Sequence, residues 1–524
     1  MGRSWEGSTV TALANNIGDL LTRRAALNPE REAVFDVARG LRLSFASLAE
    51  RAHRLANALI DDGVKPGDRV GLLLMNSAEF IESFFAIARL GAVVVPLNWR
   101  LTAEELRFIL QDSGTTTLIF DEDFADTVET LVGFEDRTGL ARLLAVGASA
   151  VPGAQDYAAF RDKGAPTAPP LGAQDQDALY IMYTSGTTGL PKGVVHTHES
   201  ALWGVLTIAA TADMRPGDRY LQALPLFHVG ALTPGTLCVY LGVTSIVMRS
   251  FDPAVAWQLI EEERVTTGLL VPAMLNFMLQ VPHFERFDRG ALRWMMSGAA
   301  PVPVSLIERY AELSIDILQV YGLTETCGPA CLIDSENALT RVGSTGRGFF
   351  HSDVKIVGDD GAPCASGVPG EVWVRGPHIM REYWNRPDAT AETLVDGWLR
   401  SGDVAIMDED GFVYIQDRIK DMIISGGENI YPAEVENVLL GAPGVADAAV
   451  IGMASARWGE SPLAILVRDD PELTEAAVLS HCQSRLARFK QPRAVRFVDS
   501  IPRNPSGKIL KRVLRDEFPE PAPE

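Results

Sequence analysis

Chemistry concentrates first in Tyr183-Thr-Ser-Gly-Thr-Thr-Gly-Leu-Pro-Lys-Gly193, which sets three glycines, four aliphatic hydroxyls and one lysine directly after the apolar run Ala178 to Met182. Glycines let a backbone turn sharply and bring successive N–H groups onto an anion. The hydroxyls of Thr184, Ser185, Thr187 and Thr188 add neutral donors, and Lys192 adds a charge on a long stem. With Gly186 and Gly189 as pivots, this composition predicts a loop that holds a polyphosphate. It is not a Walker A loop, because Pro191 stands where Gly-Lys-Ser/Thr requires glycine. A Gly/Thr-rich surface turn is the plain alternative, and the length of the motif disfavours it.

A second cluster, Tyr321-Gly-Leu-Thr-Glu-Thr326, places a hydroxyl beside a carboxylate. A carboxylate near a triphosphate makes electrostatic sense only with a divalent cation between them. Taken alone, the same residues also suit a helix start capped by Thr324. Asp403, after Ser401-Gly402 and before a strand, is either a turn aspartate or a carboxylate accepting two ribose hydroxyls. Lys508, in Pro502-Arg-Asn-Pro-Ser-Gly-Lys508, reads by itself as a solvated surface lysine.

Composition narrows the partners. A formal net charge of −21 argues against general affinity for nucleic acid or anionic lipid, so an anionic substrate must meet local positive charge. The five cysteines form no C-x-x-C pair, which fits a reducing compartment. The eight histidines show no H-E-x-x-H arrangement, and no protein-ligated zinc is expected. The opening residues lack an apolar targeting core, and Glu6 stands where a myristoylation signal needs Ser or Thr; a cytoplasmic location is expected. Tyr220 to Met248 carries no charge, yet Pro225, Gly230, Pro234, Gly235 and Gly242 interrupt it, so strand, loop, helix and strand are expected rather than a membrane span.

These groups need a scaffold, and 524 residues exceed one hydrophobic core. Arg69 to Met75 predicts a strand, and Asn76-x-x-Glu79 a capping box opening a helix that Gly91 closes. Ala92 to Leu97 and Thr115 to Phe120 predict strands around a helix opened by Thr102-x-x-Glu105. Such alternation implies parallel sheet with helices on its faces. Gly164 to Gly172 reads as a linker or exposed loop. From Val354, short strands with Gly/Asp turns suggest antiparallel structure. Beyond Asp417, helices at Pro432 to Leu440 and Leu473 to Leu486 alternate with strands at Ala448 to Ile451 and Ala494 to Val498, enough for a small α+β domain.

The loop at Tyr183 to Gly193 resembles the phosphate-loop signature of the adenylate-forming enzymes, the superfamily of acyl-CoA synthetases, luciferases and peptide-synthetase adenylation domains. Further motifs resemble it in the same order, and Ser425-Gly-Gly-Glu-Asn-Ile-Tyr-Pro-Ala-Glu-Val-Glu436 looks most like bacterial fatty-acyl-CoA synthetases. The resemblance implies an α/β fold with a large multi-subdomain N-terminal domain, residues 1–417, of parallel sheets with helices and a small β-barrel-like part. A small mobile α+β lid, residues 418–524, would carry the catalytic Lys508. By the same resemblance, Thr324 contacts the adenylate phosphate, Glu325 helps hold Mg²⁺, and Tyr321 stacks on adenine. Ser297, Gly298 and Ala299 form a wall of the adenine and acyl pocket, and Asp403 with Arg418 meets the ribose. Lys420 marks the hinge within Asp417-Arg-Ile-Lys-Asp421, and Gly427 is the glycine past which the pantetheine arm of CoA threads.

Leu224-Pro-Leu-Phe-His-Val-Gly230 resembles the lining of an acyl tunnel, with His228, Val229 and Gly230 shaping it. Adenylation needs no general base, because its nucleophile is already an anion, so His228 reads as a pocket or gating residue. Gly322 stands where acetyl-CoA synthetases carry tryptophan, which favours a longer acid than acetate. Arg485, Arg488, Lys490, Arg493 and Arg496 are candidates for CoA phosphates, with a solvated basic face as the alternative. The expected activity is an ATP-dependent acid–CoA ligase, with ATP, Mg²⁺ and CoA, acting on a medium- or long-chain fatty acid. Alternatives are an aromatic acid–CoA ligase, an acyl-AMP ligase serving a carrier protein, and a silent acyl-nucleotide-binding protein. A homodimer and peripheral membrane contact are further expectations that no residue carries.

Overall fold

The computed structural model describes residues 15–134, 138–184, 191–300, 302–418, 421–425, 428–455, 458–483, 485–503 and 509–519. Two large sheets hold the nucleotide motifs. In the first, the strands Arg69–Leu73, Val93–Pro96, Thr117–Asp121, Arg142–Val146 and Ala154–Asp156 are parallel, and Ala178–Thr184 joins them beside Val93–Pro96. Lys192–Thr197 then returns antiparallel to Ala178–Thr184, and Glu382–Tyr383 adds antiparallel to it at the edge.

The helix Ala78–Leu90 between two of these strands is buried on every side and ends at Gly91 in the left-handed conformation. Its N-cap is Ser77, whose hydroxyl accepts from the Phe80 amide. Asn76, expected as the cap, instead donates to the Leu224 carbonyl at 2.8 Å and accepts from the Leu226 amide at 2.8 Å. One residue of register thus decides whether an amide side chain caps a helix or clamps a distant loop. The Thr102 and Glu105 capping box forms as expected.

In the second sheet, Glu32–Asp36, Thr244–Val247, Arg219–Gln222, Thr267–Leu270, Trp294–Ser297 and Asp316–Tyr321 run parallel. Antiparallel strands flank it: Leu41–Ser44 on one side, Cys331–Leu332 and Arg347–Gly348 on the other. Alternation along the strands divides its side chains between two cores. Tyr220, Leu269, Met296 and Leu318 join the core shared with the helices, whereas Leu221, Leu270, Met295 and Ile317 pack on the opposite face around Trp257. The uncharged stretch resolves into the strand Arg219–Gln222, the helix Val229–Leu241 and the strand Thr244–Val247. No helix among the described residues is long and apolar enough to cross a membrane.

The antiparallel segment forms from Asp353–Val357, Gly370–Arg375, Leu394–Val395, Trp398–Met407 and Val413–Arg418. Beyond it, Ile423–Ser425, Glu428–Ile430, Val445–Ser455 and Gly459–Arg468 pair antiparallel, and Ala494–Phe497 pairs parallel. The helix Pro432–Leu440 matches its expected bounds; the next, Glu475–Gln483, is shorter than expected. Lys511, on the helix Lys511–Glu517, places its Nζ 3.0 Å from Glu436 and 3.5 Å from Asp417, and Arg515 lies 3.0 Å from Asp421. Asp417 and Asp421, which flank the expected hinge, are therefore tied to the helix Lys511–Glu517.

Candidate active site

The two strands on either side of the expected polyphosphate loop, Ala178–Thr184 and Lys192–Thr197, pair antiparallel. Thr184 and Lys192 are register partners at the ends of these two strands, so any loop between them closes over one short span. Ser185, Gly186, Thr187, Thr188 and Gly189 lie outside the described residues. Lys192 sits with its ammonium 5.0 Å from the centre of the Tyr383 ring, a cation–π contact. The Tyr383 hydroxyl donates to Glu325 Oε1 at 2.8 Å. One aromatic ring thus spans the cation of the first motif and the carboxylate of the second. Tyr383 went unrecognised in the sequence because its role arises from edge pairing of Glu382–Tyr383 with Val194 and Val195.

The second motif leaves the strand Asp316–Tyr321 and turns at once. A Cβ on Gly322 would meet the Gly328 carbonyl oxygen at 1.4 Å, so the returning backbone itself demands glycine. This local reason stands beside the expectation that Gly322 leaves room for a long acid. Thr324–Thr326 forms a 3₁₀ turn, and it is Thr326, not Thr324, whose hydroxyl accepts from the Leu323 amide. The Thr324 carbonyl lies 2.7 Å from His196 Nε2. A carbonyl only accepts, so the proton sits on Nε2, and Nδ1 accepts from Ser200 Oγ at 3.1 Å. Burial lowers the His196 pKa to about 4, with the Thr324 carbonyl opposing, and the ring stays neutral near pH 7.

Asp403 lies inside the strand Trp398–Met407 rather than before a strand, following Gly402 at φ +72°. Its side chain is buried, and Oδ2 accepts from the Tyr321 hydroxyl at 2.7 Å. Arg418 is its register partner on the neighbouring strand. Ser297 ends the strand Trp294–Ser297, Gly298 and Ala299 follow it, and Ala299 takes a left-handed φ of +68°. Such backbone strain in a non-glycine residue is tolerated where the surroundings fix it.

A single cleft of about 2500 Å³ gathers these groups. Thr184, Lys192, Ser297, Gly298, Ala299, Tyr321, Gly322, Thr324, Glu325 and Asp403 line it, as do His228, Val229 and Gly230. Two family models match the chain, AMP-binding enzyme over residues 21–384 and AMP-binding enzyme C-terminal domain over residues 434–508. The chain belongs to the adenylate-forming, AMP-binding enzymes. It is 45% identical to Long-chain-fatty-acid–CoA ligase FadD13 of Mycobacterium tuberculosis strain H37Rv, over 97% of this chain and 100% of that one. A solved Mycobacterium tuberculosis fatty acyl CoA synthetase superposes with a TM-score of 0.78 and 44% identity, covering 96% of this chain and 98% of the other. The o-succinylbenzoate CoA synthetase of Bacillus subtilis, in complex with its acyl-adenylate intermediate, gives a TM-score of 0.84 at 34% identity, with coverage of 96% and 98%.

In this adenylate-forming enzyme part of the cleft is apolar. Ile208, Met214, Leu224, Leu269, Val271 and Met296 line it. His228 stands at the start of the helix Val229–Leu241, against Phe227 with ring centres 4.5 Å apart. Burial, aided by the Arg100 cation, lowers its pKa to about 4, and its Nε2 has no partner among the described residues. Pro234 within that helix lacks the amide that would bond the Gly230 carbonyl.

Not every expected site residue is among the described ones. Lys508, Lys420 and Gly427 lie outside the described residues, and of Arg418 only the backbone is described. Among the five candidate CoA cations, Lys490 is engaged by both carboxylate oxygens of Glu434 at 2.7 Å. Arg485 donates to the His481 carbonyl and Arg496 to that of Val495. Arg485 stays exposed, whereas Lys490 and Arg496 are half-buried.

Proposed function

We propose that this enzyme is an ATP-dependent acid–CoA ligase, joining a hydrophobic carboxylic acid first to AMP and then to CoA. The observation that carries the reading is one cleft in which Thr184, Lys192, Tyr321, Thr324, Glu325 and Asp403 adjoin an apolar tunnel. A carboxylate oxygen of the acid attacks the α-phosphate of ATP and pyrophosphate leaves. The CoA thiol then attacks the acyl carbon and AMP departs with the bonding pair. Asp403 accepts the ribose hydroxyls beside Arg418, Tyr321 stacks on adenine, and Thr324 donates to the adenylate phosphate. Lys192 and the amides of the hairpin loop hold the outgoing phosphates.

Mg²⁺ fits the donor set. This ion is usually held by one or two carboxylates together with substrate phosphates, and Glu325, with Oε1 fixed by Tyr383, offers its second oxygen. When bound, the ion offsets the charge on the polyphosphate. Lys508, on a lid formed by residues 418–524 turning on Lys420 against residues 1–417, stabilises charge between acid and α-phosphate during adenylation. Gly427 then borders the path of pantetheine.

The acid is a medium- or long-chain fatty acid, supported by the tunnel lining and by the substrate named for the Mycobacterium tuberculosis relative. Peripheral membrane contact goes with such a substrate; the half-exposed Phe277, which also lines the cleft, supports it. Pyrophosphate release measured over acids of increasing length, with and without CoA, tests the reading. Release that rises with chain length, and thioester that forms only with CoA, is expected. An enzyme that releases no pyrophosphate with any hydrophobic acid would overturn it.

A further inference from the structure

The tunnel floor is one face of the second sheet, and its register ranks the lining by depth. Tyr220, Thr267 and Trp294 are cross-strand neighbours in one row. Two residues further along the strands, Leu269 and Met296 pair on the same face. Two further still come Val271 and Gly298. Tyr220, Leu269, Val271, Trp294, Met296 and Gly298 all line the cleft. At about 3.3 Å per residue, Trp294 lies roughly 13 Å deeper than Gly298, which borders the nucleotide end.

The middle of this path is apolar, but its deep end is not. Trp294 is only 2% exposed, and its indole N–H finds no acceptor among the described residues. Beside it Thr267, fully buried, has an unpaired Oγ1. A buried indole N–H ordinarily finds a partner. Trp257, on the opposite face of the same sheet, does so by donating to the Met278 carbonyl at 2.8 Å. Both tryptophans are buried, and of the two only the one lining the cleft is unsatisfied among the described residues. Such a donor is costly unless something that enters the tunnel completes it.

We propose that Trp294 reads a hydrogen-bond-accepting oxygen at the far end of the acyl group. The preferred acid is then a fatty acid whose apolar chain carries a hydroxyl, ether or carbonyl oxygen at its distal end. This deepens, and rests on, the acid–CoA ligase reading. The test compares matched acids of equal length with and without the distal oxygen: ω-methoxy and ω-hydroxy fatty acids against their alkyl partners.

Pyrophosphate release gives kcat/KM for each. In the unaltered enzyme, the oxygenated member is expected to win by about tenfold, the worth of one satisfied hydrogen bond, at lengths reaching about 13 Å from the carboxylate. Trp294→Phe brings the ratio close to one, and turnover of the alkyl acids by that variant shows that it is folded. Equal kcat/KM within each pair, with pyrophosphate still released, overturns this inference and leaves the ligase reading standing. Discrimination that survives Trp294→Phe overturns the assignment to Trp294. Thr267→Val checks it without disturbing the indole, and a preference that vanishes there while Trp294→Phe retains it would also count against Trp294. No pyrophosphate with any acid overturns the ligase reading itself.

Discussion

The proposed nucleotide end of the cleft and its apolar end treat polar groups in opposite ways. At the nucleotide end they are already paired with one another: Tyr321 with Asp403, Tyr383 with Glu325, and His196 with the Thr324 carbonyl. At the apolar end, His228 Nε2 and Trp294 Nε1 are buried without partners among the described residues. Pairing in advance fixes positions and lowers the reorganisation needed when charge develops. Unpaired groups make affinity depend on what a ligand supplies, which is how a pocket discriminates. The first end is built for a constant substrate, the second for a chosen one.

The sharpest way to break that division is Lys508→Ala. Acyl-AMP formation is expected to fall by about 10²–10³, the usual worth of a preorganised charge-stabilising group. CoA transfer from supplied acyl-AMP should be retained. Equal loss in both half-reactions, followed by rapid quench, would refute the assigned division of labour. Next comes Gly322→Ala. Because its Cβ would strike the Gly328 carbonyl, the strain falls on the nucleotide end. Overpacking costs up to about 3 kcal/mol, so kcat/KM should drop by roughly a hundredfold for every acid, acetate included. A loss confined to long acids would show instead that Gly322 serves tunnel room alone.

Why were some of these residues legible in the sequence and others not? Local chemistry announces itself: Gly91 ends one helix and Thr102 with Glu105 opens another, because composition over a few residues forces the backbone. The alternation of strand and helix likewise follows from hydrophobic period. Tyr383, His196 and Asn76 act across distant segments, through sheet-edge pairing, a buried ring and a clamp on Leu224 and Leu226. Nothing near them in the chain signals those partners. Ser77 displaced Asn76 as cap because both are good caps and only tertiary packing chooses between them.

A gentler probe of the nucleotide end is Asp403→Ala. It removes the acceptor of the Tyr321 hydroxyl together with the proposed ribose contact. A hydrogen bond to a charged group is worth about 1.5 kcal/mol or more, so ATP affinity by calorimetry should weaken by about tenfold. Trp294→Phe, at the other end, should leave ATP affinity as it is. Unchanged affinity in Asp403→Ala would count against the ribose role.

The smallest effect separates the two ends by pH. His196 has a folded pKa of about 4, set chiefly by burial, against about 6.5 in the unfolded chain. Between those values the unfolded chain binds a proton that the folded one refuses, so stability rises with pH there. The neutral ring's contribution is complete above about pH 6.5 and is lost as pH falls towards 4. From pH 7 to 5.5 the loss is on the order of 1 kcal/mol for this one side chain. His196→Gln keeps an N–H for the Thr324 carbonyl but cannot titrate. Denaturant midpoints for that variant should therefore fall less steeply over this range than those of the unaltered chain. His228, also lowered to about 4, belongs to the tunnel, so His228→Gln should flatten the same curve while changing the KM for the acid. His196→Gln should not change that KM. If both variants shift it equally, the two ends of the cleft are not independent.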